Sequence, residues 1–373
     1  MTHKHSGIIF AALFIAAGAA LTPTWAAGYQ VTNLLSNDVT IAAPLHDPNL
    51  INPWGLAYSA AGPYWFSDNA TGLSTLYSSS PPSVPALVVT LPPAVSGTAN
   101  PTGIIFNPQS GDFAGGLFIF ATEDGTISAW SSGTTAVLRV NNHAASAVYK
   151  GLAYENTGST GNHLYAANFH SGAIDVFNSS YTPVTLAGNF TDPSLPAGYA
   201  PFNIQNLGGK LYVAYAQQAL SGGIPTGDEQ PGAGLGFVDV YNTNGTFVNR
   251  LVSGGQLNAP WGLTLAPASF GPFANDLLVG NFGDGRINAF NPTTGAFLGT
   301  LSDTASTPIS IDGLWGLDFG NGGSGGSTNT LYFTAGPAAE TKGLFGSLTF
   351  VPEPASLTLL ALGTLGLVSR RRR

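Results

Sequence analysis

Between residues 50 and 350 the chain alternates short apolar runs with turns rich in Gly, Pro, Asn and Asp, and it does so six times. Six stretches begin at such a turn: NPWGLAY, NPTGIIF, YKGLAYE, APFNIQN, APWGLTL and GLWGLDF. A second apolar run follows each one: YWFSDN, LFIFATED, HLYAANFH, KLYVAYAQQ, DLLVGNFGD and TLYFTAG. A third run comes next: STLYSS, GTISAW, GAIDVFN, GFVDVYN, GRINAFN and GLFGSLTF. A fourth, such as ALVVTL, AVLRV, VTLAG, FVNRLV or FLGTL, closes most units. Runs of this length, rich in β-branched and aromatic residues and bounded by turn residues, are strands. No unit holds a long segment of helical period, which excludes a parallel α/β arrangement.

The repeat is in register. Gly55, Gly103, Gly151, Asn203, Gly262 and Gly316 occupy one position of the first strand, at intervals of 48, 48, 52, 59 and 54 residues. Four short strands per unit of this size predict propeller blades. The expected fold is therefore all-β, a six-bladed propeller of four-stranded blades spanning residues 29–350. The sixth unit lacks a fourth strand before Val351, while YQVTNLLSN at 29–37 has no blade of its own. That N-terminal strand is expected to complete the sixth blade and close the ring, which removes an open sheet edge.

The ends read differently. Residues 1–26 carry Lys4, an apolar stretch from Ile8 to Leu21, Pro23 and small residues before a cut after Ala26, the form of a signal peptide. Residues 351–373 begin Val-Pro-Glu-Pro, continue through an apolar run from Ala355 to Val368 and end in Arg370, Arg371, Arg372 and Arg373. That run is shorter than a comfortable membrane span, and the arginines favour the cytoplasmic side. Pro352, Glu353 and Pro354, the apolar run and the arginine cluster together resemble the PEP-CTERM sorting signal of Gram-negative bacteria. The resemblance implies export past signal peptidase, transient anchoring in the inner membrane through this segment alone, and removal of the tail by an exosortase-like enzyme. It also implies a final place at the cell surface or in the extracellular matrix, beside exopolysaccharide synthesis.

Composition narrows the partners. Only 8% of the 373 residues are charged, against 49 Gly, 26 Pro and no Cys. No disulfide, thiolate metal site or thiol nucleophile can form. Without the terminal segments six of the 11 basic residues and 18 of the 19 acidic ones remain, a net charge of −12. This excludes a basic nucleic-acid footprint and disfavours anionic membranes.

Blade topology places two rings of residues at one mouth of the axial channel. The strand-one ring is Trp54, Thr102, Lys150, Phe202, Trp261 and Trp315. The turns between strands two and three add Asp68, Asn69, Glu123, Asp124, Asn168, His170, Gln217, Asn281 and Asp284. Trp54, Trp261 and Trp315 are either packing between blades or a stacking platform for sugar rings, with the polar residues binding hydroxyls. Asp68, Glu123, Asp124 and Asp284, with Asn168, Asn281 and His170, could hold a Ca²⁺, but DNATG, EDGT and GDGR are also ordinary turns. No cofactor is predicted. Glu123 with Asp68 or Asp284 is the best pair for acid/base work on a glycoside. His46, His143, His163 and His170 show no paired ligand spacing, and neither a G-x-S-x-G elbow, a P-loop nor H-E-x-x-H occurs.

The blades, most clearly in LLVGNFGDGRINAFNPTTGAFLG, are similar to NHL-like six-bladed propellers. Taken with DPNLINPWGLAYS, FATEDGTISAW and IDGLWGLDFGN, residues 29–350 resemble an uncharacterised bacterial propeller family. That resemblance implies fold and location and supplies no activity. The expected function is a non-catalytic binding or structural propeller, with exopolysaccharide at the channel mouth as the ligand. The alternatives are a metal-assisted hydrolase or lyase on the same face, and a protein–protein scaffold.

Overall fold

The computed structural model describes residues 27–353 apart from 80 and 159. Residues 1–26, which the sequence reads as a signal peptide, and Pro354, the apolar run and the arginine cluster lie outside the described residues.

Six sheets form the ring, with their strands antiparallel apart from the short Leu45–His46 strand that runs parallel to Gly28–Ser36. Blade 1 holds Pro53–Tyr58 and Tyr64–Asp68, a third strand split at Thr75 into Leu73–Ser74 and Leu76–Ser79, and outer pieces Pro82–Ser83 and Val89–Thr90. Blade 2 is Pro101–Phe106, Phe118–Thr122, Thr126–Trp130 and Val137–Asn141. Blade 3 is Tyr149–Tyr154, Leu164–Asn168 and Ala173–Phe177. Blade 4 is Tyr199–Leu207, Lys210–Ser221, Phe237–Asn242 and Phe247–Ser253, with Ile224–Glu229 added to its second strand. Blade 5 is Pro260–Leu265, Leu277–Asn281, Ile287–Phe290 and Phe297–Thr300. Blade 6 is Leu314–Phe319, Leu331–Ala335 and Leu344–Val351, completed by Gly28–Ser36. Helical structure among the described residues is confined to three short 3-10 turns.

The closing strand behaves as its sequence predicts. Gly28–Ser36 runs antiparallel to Leu344–Val351, from Gly28 opposite Val351 to Ser36 opposite Leu344. Tyr29 pins it to blade 5: its amide donates to Ser302 O and its hydroxyl to Phe270 O at 2.9 Å. In blade 3 the expected fourth strand VTLAG is reduced to one bridge between Phe177 and Pro183, flanked by bonds from Asn178 N to Thr182 O and from Val184 N to Val176 O. Pro183 occupies the non-hydrogen-bonded position of that bridge, where no N–H is needed. Pairing ends after Val184, and by Gly188 the chain bonds instead to Asn244 O of blade 4.

The second strands are buried along their whole length in blades 1, 2, 3, 5 and 6. Both faces of these strands meet neighbouring blades, which is why their sequences are continuous apolar runs and not alternations. The apolar clusters lie between adjacent blades, for example Ile119, Ile127, Leu152 and Leu164 between blades 2 and 3.

Near the axis the first strands almost touch, and this explains the repeated Gly. A Cβ on Gly103 would lie 2.3 Å from Leu152 N of the next blade; on Gly262 it would lie 2.7 Å from Trp315 O, and on Gly316 2.7 Å from Trp54 O. Where the repeat has Asn203, its side chain lies over Gly151 and donates to Trp261 O at 2.7 Å. Asn203 therefore replaces a close backbone approach with a hydrogen bond to the next blade.

Gly103→Ala should destabilise the ring by about 1–3 kcal/mol or more, because the atom in the way is backbone and cannot swing aside. Urea unfolding followed by tryptophan fluorescence measures it; an unchanged midpoint would contradict the close-approach account.

Candidate functional site

Strand register fixes the two mouths of the channel. The start of each first strand lies opposite the end of the second: Pro53 pairs with Asp68, Pro101 with Thr122, Tyr149 with Asn168, Tyr199 with Gln217, Pro260 with Asn281 and Leu314 with Ala335. We call this the front mouth. The first strands then run down the channel to the back mouth.

Just inside the front mouth the channel is plugged by aromatic rings. Trp54 and Trp315 stack with centroids 3.6 Å apart, and Trp261 meets both edge-on at 5.9 Å. Phe202 packs edge-on against Trp54 and Trp315, and Phe282 stacks on Trp315 at 4.1 Å. Trp54, Trp261, Trp315 and Phe202 are all buried. Two indole N–H groups are satisfied, Trp261 Nε1 by Lys150 O at 3.0 Å and Trp315 Nε1 by Asn52 Oδ1 at 2.9 Å. The indole faces are thus covered by one another. Such pairs each contribute about 0.5–1.5 kcal/mol beyond their buried area.

Lys150 lies against the plug, its Nζ 5.0 Å from the Trp54 ring centre and 5.9 Å from that of Phe169. The side chain is 2% exposed, so its charge needs partners. Glu123 Oε1 lies at 2.5 Å, Glu229 Oε2 at 3.7 Å and Asp228 Oδ1 at 3.8 Å. Burial opposes the ammonium charge, but these carboxylates outweigh it and hold Lys150 above the usual lysine range. Glu123 also accepts from Asn69 Nδ2 at 2.9 Å, and Glu340 from Asn52 Nδ2 at 2.6 Å. Burial lifts Glu229 to about 7 against the pull of Lys150, with Glu340 and Glu123 adding to the rise.

Glu229 and Asp228 come from a hairpin that blade 4 alone carries among the described residues. Its second strand runs on to Ser221, turns at Gly222-Gly223 and returns as Ile224–Glu229. Both glycines have positive φ, as a tight hairpin turn requires. Gln218 Nε2 anchors the hairpin to Phe169 O at 2.6 Å. The 59-residue interval in the repeat is the sequence trace of this insertion, although spacing does not reveal where its carboxylates go.

Behind the plug the channel opens into a cavity of about 290 Å³. Its walls are the first strands, including Gly55–Tyr58, Gly103–Phe106, Asn203–Leu207 and Gly316–Asp318, with Trp261 among the lining residues. Asp318 is the one carboxyl among the lining residues, which include no Lys, Arg or His. Burial raises it to about 7, while the Phe319 amide at 2.8 Å and the Tyr58 hydroxyl pull it down. Its side chain is enclosed by protein but keeps surface facing the cavity, so it counts as interior to a charge and as partly accessible to water.

Over 347 residues the chain is 34% identical to the uncharacterized protein R648 of Acanthamoeba polyphaga mimivirus, covering 87% of this chain and 80% of that one. The uncharacterized protein L690 of the same virus is 33% identical over 343 residues, 86% of each. The chain belongs to the family of R648 and L690. Among solved structures, a protein of unknown function from Bacteroides thetaiotaomicron is similar with a TM-score of 0.54 at 13% identity, over 87% of this chain and 76% of that one. This likeness speaks for the propeller fold alone. Residues 350–373 match the PEP-CTERM protein-sorting motif, so this member of the R648 family carries the mark of an exported protein handled by an exosortase-like enzyme. Among the described residues no helix is long and apolar enough to cross a membrane.

The residues singled out from the sequence divide into two groups. Trp54, Lys150, Phe202, Trp261, Trp315 and Glu123 meet at the front mouth. Asn69 joins this group through its bond to Glu123, and Asp124 accepts from Ala94 N, whereas Asn281 and Asp284 bond to each other. Asn281 donates to Gln256 O and Asp284 Oδ1, and Asp284 also accepts from Arg286 N. His170 is exposed. Asp68 is fully buried and its carboxyl oxygens have no hydrogen-bond partner among the described residues; burial raises it well above the carboxylate range. Sequence reasoning missed Asp228, Glu229 and Glu340 at the front, and Tyr58, Gln205 and Asp318 behind the plug.

Lys150→Met keeps the stem and removes the charge. It should cost about 3–5 kcal/mol near pH 8, because Glu123 and Glu229 are left without their cation. Glu229 has a folded value above its ordinary 4.5, so its share of stability is greatest at low pH and declines as pH rises toward about 7. Loss of Lys150 raises Glu229 further and carries that decline past 7. The deficit of the variant should therefore shrink near pH 5, where Glu229 holds a proton in the folded state. Urea midpoints at the two pH values check it; an equal deficit at both would refute the coupling.

Proposed function

We propose that the protein is an exported binding propeller of the cell surface or extracellular matrix, without a catalytic role, and that its ligand is matrix polysaccharide. Signal peptidase would remove the N-terminal segment. The C-terminal segment would hold the chain at the inner membrane until an exosortase-like enzyme cuts it. One observation carries this reading. The last strand of the ring ends at Val351, and the sorting motif occupies 350–373. The fold is thus complete where the motif begins, so cutting behind the ring would release it without removing a strand. The closing strand lies at the opposite end of the chain, pairs with that last strand, and leaves no unpaired edge for the cut to expose.

The reading is tested by expressing the chain with and without residues 352–373 in a host with an exosortase-like enzyme. The intact chain should appear outside the cell, shortened by its tail, and sediment with the exopolysaccharide. The truncated chain should be misplaced. Unchanged surface display of the truncated form would remove the role given to the tail, and failure of the released protein to sediment with polysaccharide would remove the ligand.

A further inference from the structure

We propose that the cavity behind the aromatic plug is a binding site for one neutral, polyhydroxylated ring, a single sugar unit or a polyol of that size. The inference deepens the binding role proposed above and rests on it for its biological setting.

Size comes first. The cavity holds about 290 Å³ and is closed toward the front by Trp261 and the rings packed on it. Small-molecule pockets run from roughly 300 Å³ upward, so this one suits a ligand of one ring. A chain of sugars could not thread the channel, because the stacked Trp54 and Trp315 fill its axis.

Chemistry comes second. Each blade's first strand pairs with its second strand along one edge, and its other edge faces the axis. The wall thus offers peptide N–H and C=O groups from several blades. Hydroxyls suit such a wall because each one both donates and accepts. Among the lining side chains, Gln205 and Thr264 make no hydrogen bond to described residues, whereas Asn203 and Asn206 are committed to Trp261 O and Tyr154 O. Gln205 and Thr264 are therefore free to read a ligand, as is the amide nitrogen of Asn156. Leu56, Leu263 and Leu317 supply apolar surface for the C–H faces of a ring.

Charge comes third. An anion would meet Asp318 with no Lys, Arg or His in the lining to balance it, at a large desolvation cost. An apolar molecule would cover the free amide of Gln205 and leave it unpaired, a loss of about 1–3 kcal/mol. Asp318 already receives the Phe319 amide, and Tyr58 beside it donates to Phe319 O at 2.8 Å. A ligand hydroxyl can complete this carboxyl without bringing in charge.

The purified exported protein is titrated calorimetrically with D-glucose, D-mannose, D-galactose and myo-inositol, with D-glucuronate and cyclohexane methanol as the charged and apolar controls. At least one neutral probe should bind, and more tightly than either control. Gln205→Leu should weaken that binding about tenfold or more, the equivalent of one lost hydrogen bond to a buried amide. Thr264→Val serves as the second variant should Gln205→Leu unfold, which its thermal melt reports. No binding by any neutral probe, preference for glucuronate or the apolar control, or binding untouched in a folded variant would each overturn the proposal. The outcome is independent of export: sugar binding with failed sedimentation on polysaccharide keeps the cavity and removes the matrix, and the reverse result does the opposite.

Discussion

The ring depends on how closely six strands approach one another around the axis. At Gly55, Gly103, Gly262 and Gly316 a Cβ would fall within 2.7 Å of a neighbouring blade's backbone. Interiors are packed too tightly to absorb such an atom without shifting the strands that carry it. This one steric condition sets the repeat, because five of the six units return a Gly to the same height on the axis, and the fourth places Asn203 there. It also sets what lies above and below. The residue before the Gly faces the front of the channel, and the residues after it form the wall of the cavity behind. Thr102 donates to Tyr149 O at 2.6 Å and Thr334 to Trp54 O at 2.5 Å, so hydrogen bonds between blades reinforce the same contacts.

The plug follows from the condition. With the first strands held so close, large side chains at the residue before the Gly must meet in the middle. Trp54, Trp261 and Trp315 do so with Phe202 in the fourth blade, while Thr102 in the second is small and turns to the neighbouring backbone. Lys150 is the exception at this position. A lysine there is tolerable because its ammonium group reaches carboxylates at the front and lies over the Trp54 and Phe169 rings. The blade 4 hairpin contributes to that solution, since Glu229 approaches Lys150 from a segment the other blades lack.

The fold was legible because its determinants are local and repeated. Turn residues bound each run, apolar runs identify strands buried on both faces, and the equivalent glycines count the blades. The unpaired strand at 29–37 and the incomplete sixth unit could be matched as two halves of one blade. What failed to read was tertiary in cause. VTLAG looks like a strand, but after Val184 its chain leaves blade 3 and Gly188 N donates to Asn244 O of blade 4. The site was less legible for a different reason. Topology predicts two rings of residues at one mouth, and of these Trp54, Lys150, Phe202, Trp261, Trp315 and Glu123 lie together there. Whether three indoles offer open faces or cover one another depends on how six separate strands converge, and no spacing along the chain encodes that. Tyr58, Gln205 and Asp318 read as ordinary strand residues until the ring closes around them.

The plug divides the channel into two environments with different chemistry. In front, carboxylates crowd one buried cation, and Glu229 sits near the pH at which it changes charge. Behind, the wall combines amide, hydroxyl and peptide groups with aliphatic side chains and a single carboxyl. A solute entering from the back meets Trp261 before it can reach Lys150. Charge changes at the front can reach the back only through packing, by shifting Trp54 or the Trp261 N–H that Lys150 O receives. That bond is a direct link between the residue bearing the front charge and a residue lining the cavity. The two ends are therefore mechanically joined at Trp261 while remaining chemically separate.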